Sequence, residues 1–271
     1  MNRMSLREQY AQFLYVFYSL VDALHFARKN RLWEGFMVYG WASRLAMLLG
    51  MLAGFRFFQI LWKYVMAVDS INPFAAAGLL GSFATEVVRE EYDFLFSGGM
   101  KYGSMVLLEI FIFHITYRTL SVLLVKSGVP TLKDFLRAQV RIFKLSLVCW
   151  LLESAFLMVA RSTLELSILP GWFLPVITFL IQCLFLGLPI LDNFTEHFGF
   201  GIREGLRYAR QYTGVAIGLG LLLRVGFWIP LLGNLISPVL VSIVSALVMY
   251  ELSDLTRSKE SGMTLAEELV D

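Results

Sequence analysis

The chain has 271 residues, 58% of them hydrophobic and 16% charged, with a mean hydropathy of +0.67. Soluble domains carry about 25% charged and about 45–50% apolar residues, so this is the composition of a chain dissolved in lipid, long enough for one membrane unit but not for a separate enzyme domain. A formal net charge of +2 leaves no electrostatic footprint for nucleic acid. The two cysteines, Cys149 and Cys183, lie in apolar runs, which excludes a disulfide framework and CxxC metal spacing and reads as buried thiols.

The N-terminus opens with Arg3, Arg7 and Glu8 among spaced apolar residues, so no cleavable signal peptide is visible and internal segments must drive insertion. Over 8–28, Phe13, Val16, Phe17, Leu20 and Leu24 recur at steps of three or four, which predicts an amphipathic helix. It ends at the basic run Arg28-Lys29-Asn30-Arg31. Such a helix either lies in a membrane surface, cations toward the head groups, or docks on the rest of the protein.

Long apolar segments follow over 42–68 and 102–125, each near the roughly 20 residues that cross the hydrocarbon. The loop between them holds Asp69, Glu86, Glu90, Glu91 and Asp93 against a lone Arg89, whereas the flanks on the other side are basic. Positive flanks stay cytoplasmic, so the acidic loop belongs outside. After Pro130, Thr131-Leu132-Lys133-Asp134 resembles a capping box, and 131–145 then carries Arg137, Arg141 and Lys144 on one face beside Leu136, Val140 and Phe143. This is a cytoplasmic amphipathic approach to a third apolar segment, 142–160. A fourth, 166–191, has no charged residue; a polar stretch, 192–211, separates it from a fifth at 212–229 and a sixth at 235–251. The tail from Ser253 is polar.

The first hairpin must reach water through its acidic loop and is expected to span. The tips Ile168-Leu169-Pro170-Gly171 and Pro230-Leu231-Leu232-Gly233-Asn234 are apolar and rich in proline and glycine. Tips of that kind can end inside the bilayer where protein satisfies the freed backbone groups. The second and third hairpins are therefore expected to enter from the cytoplasmic side and turn back, with short outer loops as the ordinary alternative. Both readings leave the termini cytoplasmic.

Ionisable residues inside the apolar segments are Arg44, Arg56, Lys63, Glu109, His114, Arg118, Lys144, Glu153 and Arg224. At bilayer depth such residues face a partner or a wet cavity. Arg56 and Glu109 fall at similar depth in an antiparallel hairpin, and Glu153 and Arg224 are candidates to pair between later hairpins. Either these are ion pairs that hold a bundle together, or they line a polar path whose excess arginine attracts an anion. Gly214-x-x-x-Gly218 and Gly220 mark close helix packing, within the chain or between copies. Arg203, Arg207 and Arg210 share one helical face, suited to anionic head groups or to an anion vestibule. His25, His114 and His197 form no HExxH pattern, and Walker A, GxGxxG and GxSxG motifs are absent, so no catalytic residues, metal site or cofactor are expected.

The last third carries a resemblance. Leu188-Pro189-Ile190-Leu191-Asp192-Asn193 leads to the basic helix 202–210, an apolar stretch, and then Ile229-Pro230-Leu231-Leu232-Gly233-Asn234-Leu235-Ile236-Ser237-Pro238. In these strings the chain resembles the CysZ sulfate-permease family and its superfamily of etoposide-induced membrane proteins. The likeness covers about 10–252 in architecture and about 188–240 in motif, with Gly233 interrupting the proline-leucine string. It implies an all-α membrane domain over 1–252 with a polar tail at 253–271, built of two long spanning helices, two re-entrant or short helical hairpins and amphipathic interfacial helices. It also implies a homo-oligomer in a bacterial inner membrane. In that family sulfate binds at a Gly-apolar-Arg-Arg turn after the first helix. The corresponding turn here is Lys29-Asn30-Arg31-Leu32-Trp33-Glu34, which implicates Arg31 with Arg28 or Lys29, lacks the glycine and second arginine, and adds the negative Glu34. The expected function is permeation of a small, sulfate-like anion without ATP hydrolysis. The other reading is a membrane scaffold that binds lipid through its basic amphipathic faces.

Overall fold

The computed structural model describes residues 5–34, 59, 62, 100–124, 131–165, 170–229 and 233–255. The regular structure among them is all helical: α1 (Leu6–Lys29), α2 (Met100–Leu123), α3 (Leu132–Glu165), α4 (Phe173–His197), α5 (Ile202–Ala209), α6 (Thr213–Gly226) and α7 (Gly233–Leu252), with a 3-10 turn, Arg210–Tyr212, between α5 and α6. The segment 42–68, with Arg44, Arg56 and Lys63, and the acidic loop after it lie outside the described residues, as does Pro230 at the third hairpin tip.

Local chemistry sets the helix ends. Ser5 caps α1: its hydroxyl accepts from the Glu8 N–H at 3.3 Å while its own N–H donates to the Glu8 carboxylate at 2.6 Å. At the other end both the N–H and the side-chain amide of Asn30 donate to the Phe26 carbonyl at 3.0 Å. Arg31 then takes a left-handed φ of 46°, which turns the chain and buries Leu32. The Thr131–Asp134 box forms as the sequence suggests. Asp134 accepts from the Thr131 N–H at 3.0 Å, and the Asp134 N–H donates to the Thr131 hydroxyl at 3.3 Å.

α3 and α4 are the described helices long and apolar enough to cross a membrane, over Leu132–Thr163 and Phe173–His197. Of the two segments expected to span, 42–68 lies outside the described residues and 102–125 coincides with α2. The helices on either side of the second hairpin tip are longer than their apolar segments alone. The amphipathic approach and the apolar segment after it are one helix of 34 residues, ~51 Å long at 1.5 Å per residue. α4 likewise does not stop at Leu191 but runs on through Asp192 to His197.

α6 lies against α4 and α1, while α7 packs on α2, α1 and α6, and α3 lines the side formed by α2 and α4. Val16, Leu186, Ile190, Tyr212, Leu219 and Val244 are among the residues at the centre of this packing. The glycines on α6 work within the chain. A Cβ on Gly220 would stand 1.8 Å from the Cys183 carbonyl oxygen, and one on Gly214 would stand 1.9 Å from that of Gln9. Those positions admit no side chain, so α6 meets α4 and α1 backbone to backbone. α1 therefore docks, through Gln12, Val16, Ser19 and Ala23, and still exposes Leu6, Tyr10, Tyr18, Val21 and Leu24 on its other face. Both cysteines are buried, and neither forms a disulfide.

Candidate functional site

The polar residues of the bundle gather where α2, α3 and the end of α4 meet. Residues seven apart on a helix share a face, and on α2 that period sets Tyr102, Glu109 and Thr116 in one line toward α3 and α4. All three are buried. α4 ends in the string Asp192-Asn193-Phe194-Thr195-Glu196-His197, whose Asp192 and Glu196, four apart, also share a face.

Arg141 of α3 holds those two acids together. Its Nε donates to Asp192 Oδ2 and its Nη2 to Asp192 Oδ1, both at 2.8 Å, a bidentate pair with side-chain exposures of only 13% and 4%. Glu196 Oε2 lies 3.6 Å from the same Nε, and Nη1 donates to the Phe200 carbonyl of the turn after α4. Thr195 adds a hydroxyl bond to Asp192 Oδ1 at 3.2 Å. Gly205 of α5 sits on the pair: a Cβ there would stand 2.4 Å from Asp192 Oδ1. One guanidinium thus ties together α3, α4 and the turn that launches α5.

Beside this clamp is a cleft of about 180 Å³. α2 contributes Phe113, Thr116 and Tyr117 to its wall, the first turns of α3 contribute Asp134 and Arg137, and the end of α4 contributes Asn193, Glu196 and His197. The Tyr117 and His197 rings meet edge to face at 5.8 Å. Beyond Asn193 lies Glu109, with 0% exposure. Asn193 is its polar neighbour, Glu196 and Asp192 are the charges around it, and neither carboxyl oxygen receives a bond of good geometry.

The other residues singled out from the sequence are distributed as follows. Glu153 accepts from Tyr102 Oη at 2.5 Å. Arg224 donates to Gln182 at 2.6 Å and stands 4.6 Å over the Phe179 ring. His114 is buried near the Leu32 backbone and Arg118. Arg28, Lys29 and Arg31 are exposed at the end of α1, and Arg31 pairs with Glu34 at 3.1 Å. Arg203 and Arg207 of α5 and Arg210 of the 3-10 turn after it are each exposed. Gly233 receives the start of α7 by donating to the Ile229 carbonyl at 2.9 Å, Asn234 is in the first turn, and Pro238 is buried within the helix. At the same end of the bundle as α5, burial holds the Tyr15 and Tyr208 hydroxyls above their usual range, and Tyr15 donates to Glu251.

Sequence reading missed Arg141, Asp192, Asn193 and Glu196 as a group. Arg141 was placed on a basic face with Arg137 and Lys144, but of the three only Arg141 turns inward. The available signal was an acid immediately after a long uncharged run. Set against protein-family models, characterised proteins and solved structures, the chain matches none.

Proposed function

We propose that this chain is a multi-pass protein of a bacterial inner membrane and a permease for a small anion, sulfate-like in class, working without ATP hydrolysis. Membrane residence is supported by an inversion of polarity. Leu136, Phe143, Leu151, Phe156 and Met158 point outward along α3, each more than half exposed, while Glu109, Glu153 and Asp192 are buried inside. Covering one such apolar side chain is worth about 1.5–3 kcal/mol, and lipid supplies that cover along a helix of this length. Trp172, exposed near the tip between α3 and α4, suits the amphipathic zone below the head groups.

The observation that carries permeation is the cleft between α2, α3 and α4, with exposed Arg137 at its wall and buried polar groups behind it. Arg28, Lys29 and Arg31 after α1 and Arg203, Arg207 and Arg210 around α5 add a cationic approach from the cytoplasmic side, where both termini lie. α6 has 14 residues, ~21 Å, short of the roughly 30 Å of hydrocarbon, which supports a third hairpin that turns back within the membrane. The resemblance to CysZ proteins supplies the anion class and the homo-oligomer.

Labelled sulfate entering liposomes that contain the purified protein is the direct test, with flux reduced severalfold in R137Q. Flux equal to that of empty liposomes for sulfate, phosphate and chloride alike contradicts the reading. A second reading, a lipid-binding scaffold, is favoured by the exposure of the three α5 arginines. It predicts co-flotation with anionic vesicles that is lost in the triple variant R203Q/R207Q/R210Q, without any flux.

A further inference from the structure

Among the described residues, Glu109 is the buried acid of the seam that the clamp and the tyrosine bond leave unused. Its carboxyl group is wholly buried, and among the described residues no donor of good geometry reaches either oxygen. A carboxylate in that state has lost its hydration without replacement, which is among the costliest arrangements a protein interior can hold. Its charged surroundings make matters worse. From α4 the groups facing it are Asp192 and Glu196, both acids, with the neutral Asn193 between. From α3 the nearby cation is Arg141, and its donors go to Asp192, Glu196 and the Phe200 carbonyl. Arg137, the next cation of α3, is exposed at the cleft wall. α7, which also packs on α2, has no ionisable residue before Tyr250 and Glu251 at its far end, where Glu251 binds Tyr15.

The site has a way out. Asn193 adjoins Glu109 on one side and lines the cleft on the other, so the carboxyl group is one side chain from a space about 180 Å³ in volume. We propose that Glu109 is a proton-binding site: the folded chain keeps it as the neutral acid and exchanges its proton with the cleft past Asn193. On release the O–H bond breaks, the electron pair stays on Glu109 and the proton passes to water in the cleft. Uptake is the reverse. The neutral acid also fits its neighbour, since its hydroxyl can donate to the Asn193 amide oxygen while its carbonyl accepts from the amide nitrogen. This inference does not depend on what the protein transports.

Infrared spectroscopy of the whole protein in lipid at neutral pH tests it. Wild type should show the carbonyl stretch of a protonated carboxylic acid, shifted in heavy water, absent in E109Q and kept in E153Q and E196Q. No such band, or a band that disappears with Glu153 or Glu196 and not with Glu109, overturns the proposal. Thermal unfolding across pH gives a second reading. An unfolded glutamate releases its proton near pH 4.3, as model peptides do, whereas the folded chain keeps it. Wild type therefore loses stability relative to E109Q as pH rises above that point, because folding must take up a proton that glutamine does not need. A gap in melting temperature that widens from acid to neutral pH, E109Q melting higher, agrees with the proposal. An E109Q variant that melts lower by the same margin at every pH overturns it. If E109Q fails to fold, the wild-type band and its response to E153Q and E196Q still decide.

Discussion

α6 and α2 are both central helices of the bundle, yet they bury opposite kinds of surface. α6 presents Gly214 and Gly220 to its neighbours and meets them carbonyl against Cα, with no acid along its length. α2 presents the polar side chains of Tyr102, Glu109 and Thr116, all buried. Backbone-to-backbone contact excludes solvent and leaves no room for a ligand, whereas the α2 side keeps a cleft and, beyond Asn193, a buried acid. The first arrangement makes a rigid wall, and the second places chemistry against it. A chain that must stay folded in lipid while offering a polar interior can use this division, since close packing and polar bonds, not water exclusion, drive helix association there.

The comparison breaks most severely at Arg141. Replacing it with methionine leaves Asp192 buried without its bidentate partner, and breaking such a pair costs about 3–5 kcal/mol. Denaturation of R141M in mixed micelles should show that loss, and R141M/D192L should recover much of it, because the orphaned charge and not the missing contact carries the penalty. Flux through R141M/D192L then separates the clamp as scaffold from the clamp as part of a path.

The next largest effect comes from the opposite side. A methyl group on Gly220 would meet the Cys183 carbonyl at 1.8 Å, a backbone atom that can move only if α4 moves. G220A should cost about 3 kcal/mol, at the upper end of ordinary overpacking, in the same denaturation assay. A loss under about 0.5 kcal/mol would mean that α6 and α4 are not in backbone contact, and the contrast with α2 would lose half its basis.

These two sites were unequally legible. The Gly214-x-x-x-Gly218 spacing announces close approach from sequence alone, though not whether the partner is the same chain; only the packed helices assign it to α1, and Gly220 to α4. Arg141 and Asp192 were hidden because 51 residues separate them and each has a plausible local reading, one on a basic helix face, the other at the head of a polar stretch. Charge periodicity cannot tell an exposed arginine from an inward one when Arg137, Arg141 and Lys144, four and three residues apart, differ by only about 40–60° around the helix. The Thr131–Asp134 box was readable since its partners are three residues apart. Ser5-Leu6-Arg7-Glu8 has the same pattern and was passed over because the apolar periodicity begins only after it.

The smallest effect tests how far the polar side depends on its individual bonds. Tyr102 donates to Glu153 at 2.5 Å where both are buried, and phenylalanine keeps the ring while removing the donor. An acceptor left short of one bond in a buried site costs about 1–3 kcal/mol, and Y102F should fall near the low end, ~1 kcal/mol, since Glu153 keeps other electrostatic neighbours. That value would lie well below the effect of R141M although both remove a donor from a buried acid of the same seam. The ordering follows from charge. Arg141 supplies a countercharge and two parallel bonds to Asp192, whereas Tyr102 supplies one bond from an uncharged hydroxyl, so removing it takes no countercharge away. Equal losses in Y102F and R141M would make Glu153 as dependent on Tyr102 as Asp192 is on Arg141, and would make the seam a chain of equivalent pairs instead of one clamp with dependents.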